Sequence, residues 1–391
     1  MIALSILVKR VFSKLYGRSM ITLSMLMTFA TKHPIVCSSN KLSACNFLSM
    51  DTEYPKNPKR SSGRVTLADV ASLAGVSPIT VSRALKKPDM VTDKLRLKID
   101  QAVKTLGYIP NQAARSLASS ETKIISVLFP SLSNSVFSSL LDGIYDTLTP
   151  AGYKVLLTNT HYSSVQEEEL IETMLEQNPD GIILTGIDQS DSARQRLMNI
   201  GIPVVQLMEL TDNPIDINVG ISHYNAGYSM TEYLINKGHQ HIGFIGARMD
   251  NRSQRRLQGY REALLEHGLP SDDYVVTSFA HTSFHAGAEL MVKLLSAHNQ
   301  IDALFCSNDD LAAGAIFECQ RQGIKVPQQL AIAGFNDLEI ASAMSPSLTS
   351  VAIPRFAMGQ RAAQCLLDRL HQKPCPSQID VGFSIVPRES S

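Results

Sequence analysis

The stretch Thr66-Leu-Ala-Asp-Val-Ala-Ser-Leu-Ala-Gly-Val-Ser-Pro-Ile-Thr-Val-Ser-Arg-Ala-Leu-Lys86 decides how the chain is read. Leu67, Val70, Ala71 and Ala74 recur at helical spacing and give a short helix one apolar face. Gly75 breaks the pattern and Val76 fills the corner. Ser77 is placed to N-cap a second helix with Pro78 at its first position, where a missing N–H costs little. Val81, Ala84 and Leu85 form the buried face of that helix. Helix, glycine turn, helix is the helix-turn-helix unit, whose second helix enters the major groove of DNA. The opposite face turns Pro78, Ile79, Thr80, Ser82 and Arg83 toward base edges or phosphates. Pro78 has no donor, so it reads by shape or apolar contact.

Outward from this unit, residues 92–106 read as a third helix with Thr92 at its N-cap. Its buried stripe is Leu95, Ile99, Ala102, Val103 and Leu106, and Gly107 ends it. Upstream, residues 1–63 are expected to be a poorly structured extension. The apolar runs Met1–Val8 and Ile21–Ala30 are broken by Lys9, Arg10, Lys14 and Arg18. A targeting presequence has similar composition, but the expectation adopted is a shorter chain starting at Met50, with a solvated arm over 51–63.

Formal net charge is zero but unevenly spread. Residues 64–120 hold nine Lys and Arg against four Asp and Glu, and residues 121–391 hold 18 against 30. A basic module on an acidic body suits a DNA-binding head on a small-molecule domain. The six cysteines (37, 45, 306, 319, 365, 375) show no CxxC and no metal spacing, and read as reduced core thiols of a cytoplasmic protein. No apolar run reaches the about 18 residues of a membrane span.

The run from Thr66 resembles the headpiece of the LacI/GalR family of bacterial repressors. The matching residues are Thr66-Leu67, Asp69-Val70-Ala71, Ala74-Gly75-Val76-Ser77, Thr80-Val81-Ser82-Arg83, Gly107-Tyr108-Ile109-Pro110-Asn111, Ala114 and Leu117-Ala118. The resemblance implies that Gln112–Ser119 is a hinge helix that folds on DNA, pairs across a dimer axis and wedges Leu117 into the minor groove, bending the duplex. DNA contact is expected from Thr66, Ser77, Pro78, Ile79, Thr80, Ser82, Arg83, Tyr108, Asn111, Arg115 and Leu117. The expected domains are 64–108 for the headpiece, 109–122 for hinge and linker, and 123–391 for the body.

From Lys123 apolar strands alternate with helices, the pattern of parallel sheets covered on both faces. Strands are expected at 124–129, 153–158, 181–185, 203–207, 217–221, 242–245, 303–306 and 330–334, and helices at 140–149, 166–176, 228–236, 253–266 and 311–322. The fold class is α/β: a helix-turn-helix headpiece plus two lobes resembling the periplasmic-binding-protein type I fold. Lobe crossings are expected near 221, 353 and 380. Ligands of such sheets sit at the carboxyl ends of strands, so the cleft between lobes should hold an effector. Ser131, Asn134 and Phe137 follow the first strand, and Asn159 and His161 the second. Arg252 and Arg256 share a helix face. The resemblance places Arg256, Asp309 and Asn336 in the effector site, although Asp309 could instead orient its neighbours or hold the lobe interface. Arg248 and Arg255 read as surface charges.

Many sugar-responsive members carry aspartate where Asn336 stands. An amide beside two arginines suits an anion, because guanidinium groups pair with carboxylate or phosphate and an aspartate would repel it. Leu128–Phe137, Gly246–Asp250, Phe305–Asp310 and Phe317–Arg321 resemble the gluconate-utilisation repressors of this family. The expectation is therefore a homodimeric DNA-binding repressor, acting on double-stranded operator DNA and released by a small anionic sugar derivative of the gluconate or phosphogluconate class. The alternative is the sugar-binding protein of a transporter, which has no use for residues 66–118. An enzyme is not expected. His239 and His241 lack convergent metal ligands, Gly243-Phe-Ile-Gly246 is no dinucleotide fingerprint, and neither a P-loop nor GxSxG occurs. No cofactor is expected.

Overall fold

The computed structural model describes residues 65–109, 121–298 and 300–391. Residues 1–64 and 110–120 lie outside the described residues, and with them the expected extension, hinge helix, Asn111, Arg115 and Leu117. The chain divides into two compact units, one closing at Tyr108 and one starting at Ile109.

Among its described residues the first unit holds three α-helices: α1 (Leu67–Ala74), α2 (Pro78–Lys86) and α3 (Asp93–Leu106). A reciprocal capping box starts α1. The Thr66 N–H donates to Asp69 Oδ2 at 2.8 Å and the Asp69 N–H to Thr66 Oγ1 at 3.3 Å. Gly75 ends α1 at φ 67, a left-handed position that glycine takes without Cβ strain. Ser77 caps α2 through the Thr80 N–H at 3.2 Å. Thr92 makes no such side-chain bond; Arg96 instead pairs with Asp93 in the first turn of α3, at 2.9 Å. Val70, Val81 and Ile99 are fully buried in the small core, each contributing about 1.5–3 kcal/mol.

The second unit contains β1 (Ile124–Phe129), α4 (Val136–Leu148), β2 (Lys154–Asn159), α5 (Ser164–Glu176), β3 (Gly181–Thr185), α6 (Asp191–Asn199), β4 (Val204–Glu209), β5 (Ile217–Ile221) and α7 (His223–Asn236). There follow β6 (Ile242–Ala247), α8 (Asn251–Glu266), β7 (Val275–Ser278), α9 (Phe284–Ala297), β8 (Ala303–Cys306), α10 (Asp309–Gln322), β9 (Ala331–Asn336) and α11 (Glu339–Ala343). The last elements are β10 (Thr349–Ala352), α12 (Arg355–Leu370), β11 (Gln378–Asp380) and β12 (Ser384–Val386). They build two six-stranded sheets, ordered β11-β5-β4-β3-β1-β2 and β12-β10-β9-β8-β6-β7. All pairings are parallel except β10–β12. Strands such as β1 and β4 are buried on both faces, which is why they read as unbroken apolar runs.

The chain passes from the first sheet to the second between β5 and β6, back after β10, and forward again between β11 and β12. In each sheet the strand order reverses beside the first strand, β1 or β6, and a crevice opens at such a switch point. Reciprocal glycines join three helix pairs backbone to backbone. A Cβ on Gly227 of α7 would lie 2.4 Å from the Arg256 carbonyl, and one on Gly259 of α8 would lie 2.1 Å from the Tyr224 carbonyl. Gly143 and Gly359 do the same for α4 and α12, and Gly287 and Gly314 for α9 and α10.

Candidate functional site

On the headpiece, Ser77, Pro78, Ile79 and Arg83 are exposed and Thr80 and Ser82 half-buried, so α2 turns one mixed polar and apolar face outward. Ile79 is 71 % exposed, which leaves a branched apolar side chain free to meet a base methyl group. The hydroxyls of Ser77 and Thr80 bond each other at 2.8 Å. Thr66 is committed to its cap, donating to Asp69 Oδ2 at 2.8 Å. Tyr108, expected at the DNA, is 8 % exposed and packs in the headpiece core, where Gly107 turns the chain back against Val103.

In the second unit the carboxyl ends of β1 and β6 face each other across a cleft. An inner chamber of about 40 Å³ is lined by Asn134, Phe137 and Met208 on one side and Arg252, Arg256 and Asn336 on the other. An outer chamber of about 340 Å³ is lined by Ser131, Ser133, Ser135, Arg248, His281 and others. The two share Asn134, Tyr162, Arg248, Thr282 and Asp310. A larger groove of about 840 Å³ lies at the opposite, amino ends of the first sheet's strands. Its charges are already paired: Arg369 with Asp216 at 2.8 Å, and Asp180 with the Thr122 and Lys123 N–H groups.

Arg256 is 6 % exposed and its guanidinium lies 3.7 Å from the Phe335 ring centroid. Its Nε donates to His223 Nδ1 at 3.2 Å and its Nη1 to the Ser307 carbonyl. Burial, then the charges of Arg256 and Arg252, hold His223 far below the usual histidine range. A neutral imidazole is what lets Nδ1 accept that bond. Burial pulls Arg256 itself down to about 10, leaving it a cation at neutral pH. Arg252 pairs with Asp250 at 3.1 Å. Burial pushes the Asp250 carboxyl up, but Arg252, Arg256 and the Ser253 N–H overcome it and hold the group well below the carboxylate range.

Asn336 ends β9 at φ 107 and is 3 % exposed. Its side-chain oxygen is buried in the cleft wall and has no hydrogen-bond partner among the described residues. Such an orphan acceptor costs about 1–3 kcal/mol until a donor reaches it.

Four expectations change here. Asp309 does not line the cleft. It is fully buried, accepting from the Leu338 N–H at 2.7 Å and the Ser350 hydroxyl at 2.6 Å, and burial pushes its carboxyl up to about 7. It orients its neighbours, while Asn308 and Asp310 on either side face the cleft. Asn159 and His161 line neither of the two chambers. Asn159 Oδ1 accepts from the His161 N–H at 3.1 Å, a turn that brings the next residue, Tyr162, to the cleft instead. Arg248 is no surface charge: it lines both chambers, 3.9 Å from the Tyr162 ring centroid. Arg255 lies in a separate groove with Asp188 and Glu209. The strand-end reading reached Asn308, which follows Cys306, but sequence reasoning missed Tyr162, Arg248, Asp250, Thr282 and Asp310. The signal was present for Arg248 and Asp250, since the loop after β6 is as much a strand end as the loop after β1.

Residues 66–111 match the family described as bacterial regulatory proteins, lacI family, and residues 231–391 a periplasmic binding protein-like domain. The chain is 42 % identical to the HTH-type transcriptional regulator GntR of Pseudomonas aeruginosa, across 87 % of this chain and 99 % of that protein. It is 41 % identical to the regulator of the same name from Escherichia coli, across 83 % and 98 %. A crystal structure of a LacI-family transcriptional regulator from Silicibacter pomeroyi superposes with a TM-score of 0.79 at 34 % identity, covering 83 % of this chain and 99 % of that one.

Proposed function

The chain belongs to the lacI family of bacterial regulatory proteins, and from that premise we propose that it represses genes for sugar-acid utilisation and leaves its operator when a gluconate-type anion enters the cleft. The observation that supports this most is the orphan Asn336 oxygen beside Arg256. A hydroxyl-rich ligand offers the donor that Asn336 lacks, and its carboxylate suits the guanidinium groups. A carboxylate at position 336 would repel such a ligand.

Two copies of the headpiece bind the half-sites of a pseudo-palindrome, with Ile79, Thr80 and Arg83 nearest the bases. Leu117, carried over from the family resemblance, wedges into the minor groove between them. Effector binding alters the angle between the lobes and so the spacing of the two linkers. The effector must bind the released state more tightly by the same factor that it weakens DNA binding. A cytoplasmic homodimer is the assembly this scheme needs. A transporter's sugar-binding protein would give the headpiece surface around Ile79 no task.

The test is operator binding by the purified protein on its own upstream DNA, titrated with gluconate, phosphogluconate and neutral sugars. Release by a sugar acid alone supports the proposal. Binding that no acid disturbs discards the effector, and no binding at moderate salt discards the repressor.

A further inference from the structure

Two loops, one from each lobe, meet at the mouth of the cleft, and each holds two consecutive non-glycine residues in the left-handed region. His161 and Tyr162 (φ 50 and 60) follow β2, and Arg248 and Met249 (φ 64 and 45) follow β6. Such backbone persists only where its surroundings over-determine it. Here they do. Asn159 turns the first loop under His161, and Asn134 Nδ2 donates to the Tyr162 hydroxyl at 3.4 Å. In the second loop Gln254 Nε2 donates to the Met249 carbonyl at 2.8 Å, and the Met249 sulfur packs on Gly246.

Both strained turns converge on one contact between lobes. The Arg248 guanidinium lies on the Tyr162 ring, and its edge meets His281 Nδ1. The outer chamber lies directly beside this contact. We propose that Tyr162, Arg248 and His281 form a clasp that holds the lobes closed and sets how long the effector stays. The proposal rests on the cleft being the effector site. Arg248 is then a positioning residue: its charge is engaged by a ring and an imidazole, and it acts on the ligand through closure.

The experiment is stopped-flow association and dissociation of gluconate with the full chain, for Tyr162→Phe, Tyr162→Leu, Arg248→Met and the Leu/Met double variant. Tyr162→Leu and Arg248→Met should each speed dissociation roughly tenfold, equivalent to about 1.4 kcal/mol for a half-buried cation–ring pair, and leave association unchanged. The double variant should be no faster than either single one, because both break the same contact. Tyr162→Phe keeps the ring and removes only the hydroxyl that accepts from Asn134, so it should speed dissociation far less than Tyr162→Leu; an equal acceleration would overturn the ring contact as the clasp. Additive effects, an inert Tyr162→Leu, or slowed association with Arg248→Met would overturn the clasp. Failure of the parent to bind gluconate would refute the effector reading alone. The clasp is then read by small-angle scattering of the ligand-free protein, where the same enlarged radius in both single variants supports it and an unchanged radius overturns it.

Discussion

The two lobes share a strand order and differ in what they bring to the cleft. The first supplies Ser131, Ser133, Asn134, Ser135, Phe137, Tyr162 and Met208, all uncharged. The second supplies every charge: Arg248, Asp250, Arg252, Arg256 and Asp310. In the proposed complex the second lobe would hold the ligand electrostatically through Arg252 and Arg256, and the first would cover it with hydroxyls and rings. The fold dictates where a ligand sits, and the loops dictate what the ligand is.

The comparison breaks first at Arg256. Arg256→Ala should raise the gluconate dissociation constant by a hundredfold or more, since bonds to a charged group are worth about 1.5–3 kcal/mol each. Ligand-free operator binding should survive, as calorimetry and gel shift would show. Next comes Asn336→Asp, which adds a carboxylate where an anion is expected. It should weaken gluconate about tenfold and favour neutral sugars; tighter gluconate binding would reverse the assignment of charge to the second lobe. On the first lobe Ser133→Ala removes one neutral donor and should cost only about threefold. An effect as large as that of Arg256→Ala would end the division of labour between lobes.

The last prediction leaves the ligand and concerns stability. Asp309 and Glu209, one in each lobe, are both pushed up to about 7, chiefly by burial. The folded chain keeps protons there that the unfolded chain has released above about pH 4.5. The stability these groups contribute is full below about pH 4 and declines as pH rises through 7. Asp309→Asn and Glu209→Gln together should therefore flatten the fall in melting temperature between pH 4.5 and 7.5. An unchanged slope would mean that other groups set it.

The headpiece was the more legible region, because its signals are local. Gly75, Ser77 and the apolar spacing of Val70, Ala74 and Val81 each act within a few residues. The central strands were legible because burial on both faces makes them continuous apolar runs. The helices α6, α9, α11 and α12 and the strands β7, β10, β11 and β12 were not named from sequence. The two last strands have three residues each, and their partners are distant in the chain. In the site, strand-end logic found the loops and often the wrong residue within them. Asp309 against Asp310, and His161 against Tyr162, differ by one position. A helix start or a tight turn decides which of two neighbours points into the cleft, and no periodicity records that.

The glycine-paired helices have a mechanical consequence. Arg256 sits on α8, and its own carbonyl is what Gly227 of α7 rests against. Helix α7 begins at His223, where the chain has just left the first sheet. With backbone touching backbone, no compliant side chain lies between α8 at Arg256 and the helix that begins at the crossing. A displacement of Arg256 should therefore move α7, and with it the crossing, with little slack. The strand-end loops can then be exchanged to accept new ligands while the transmission beneath them stays in tune.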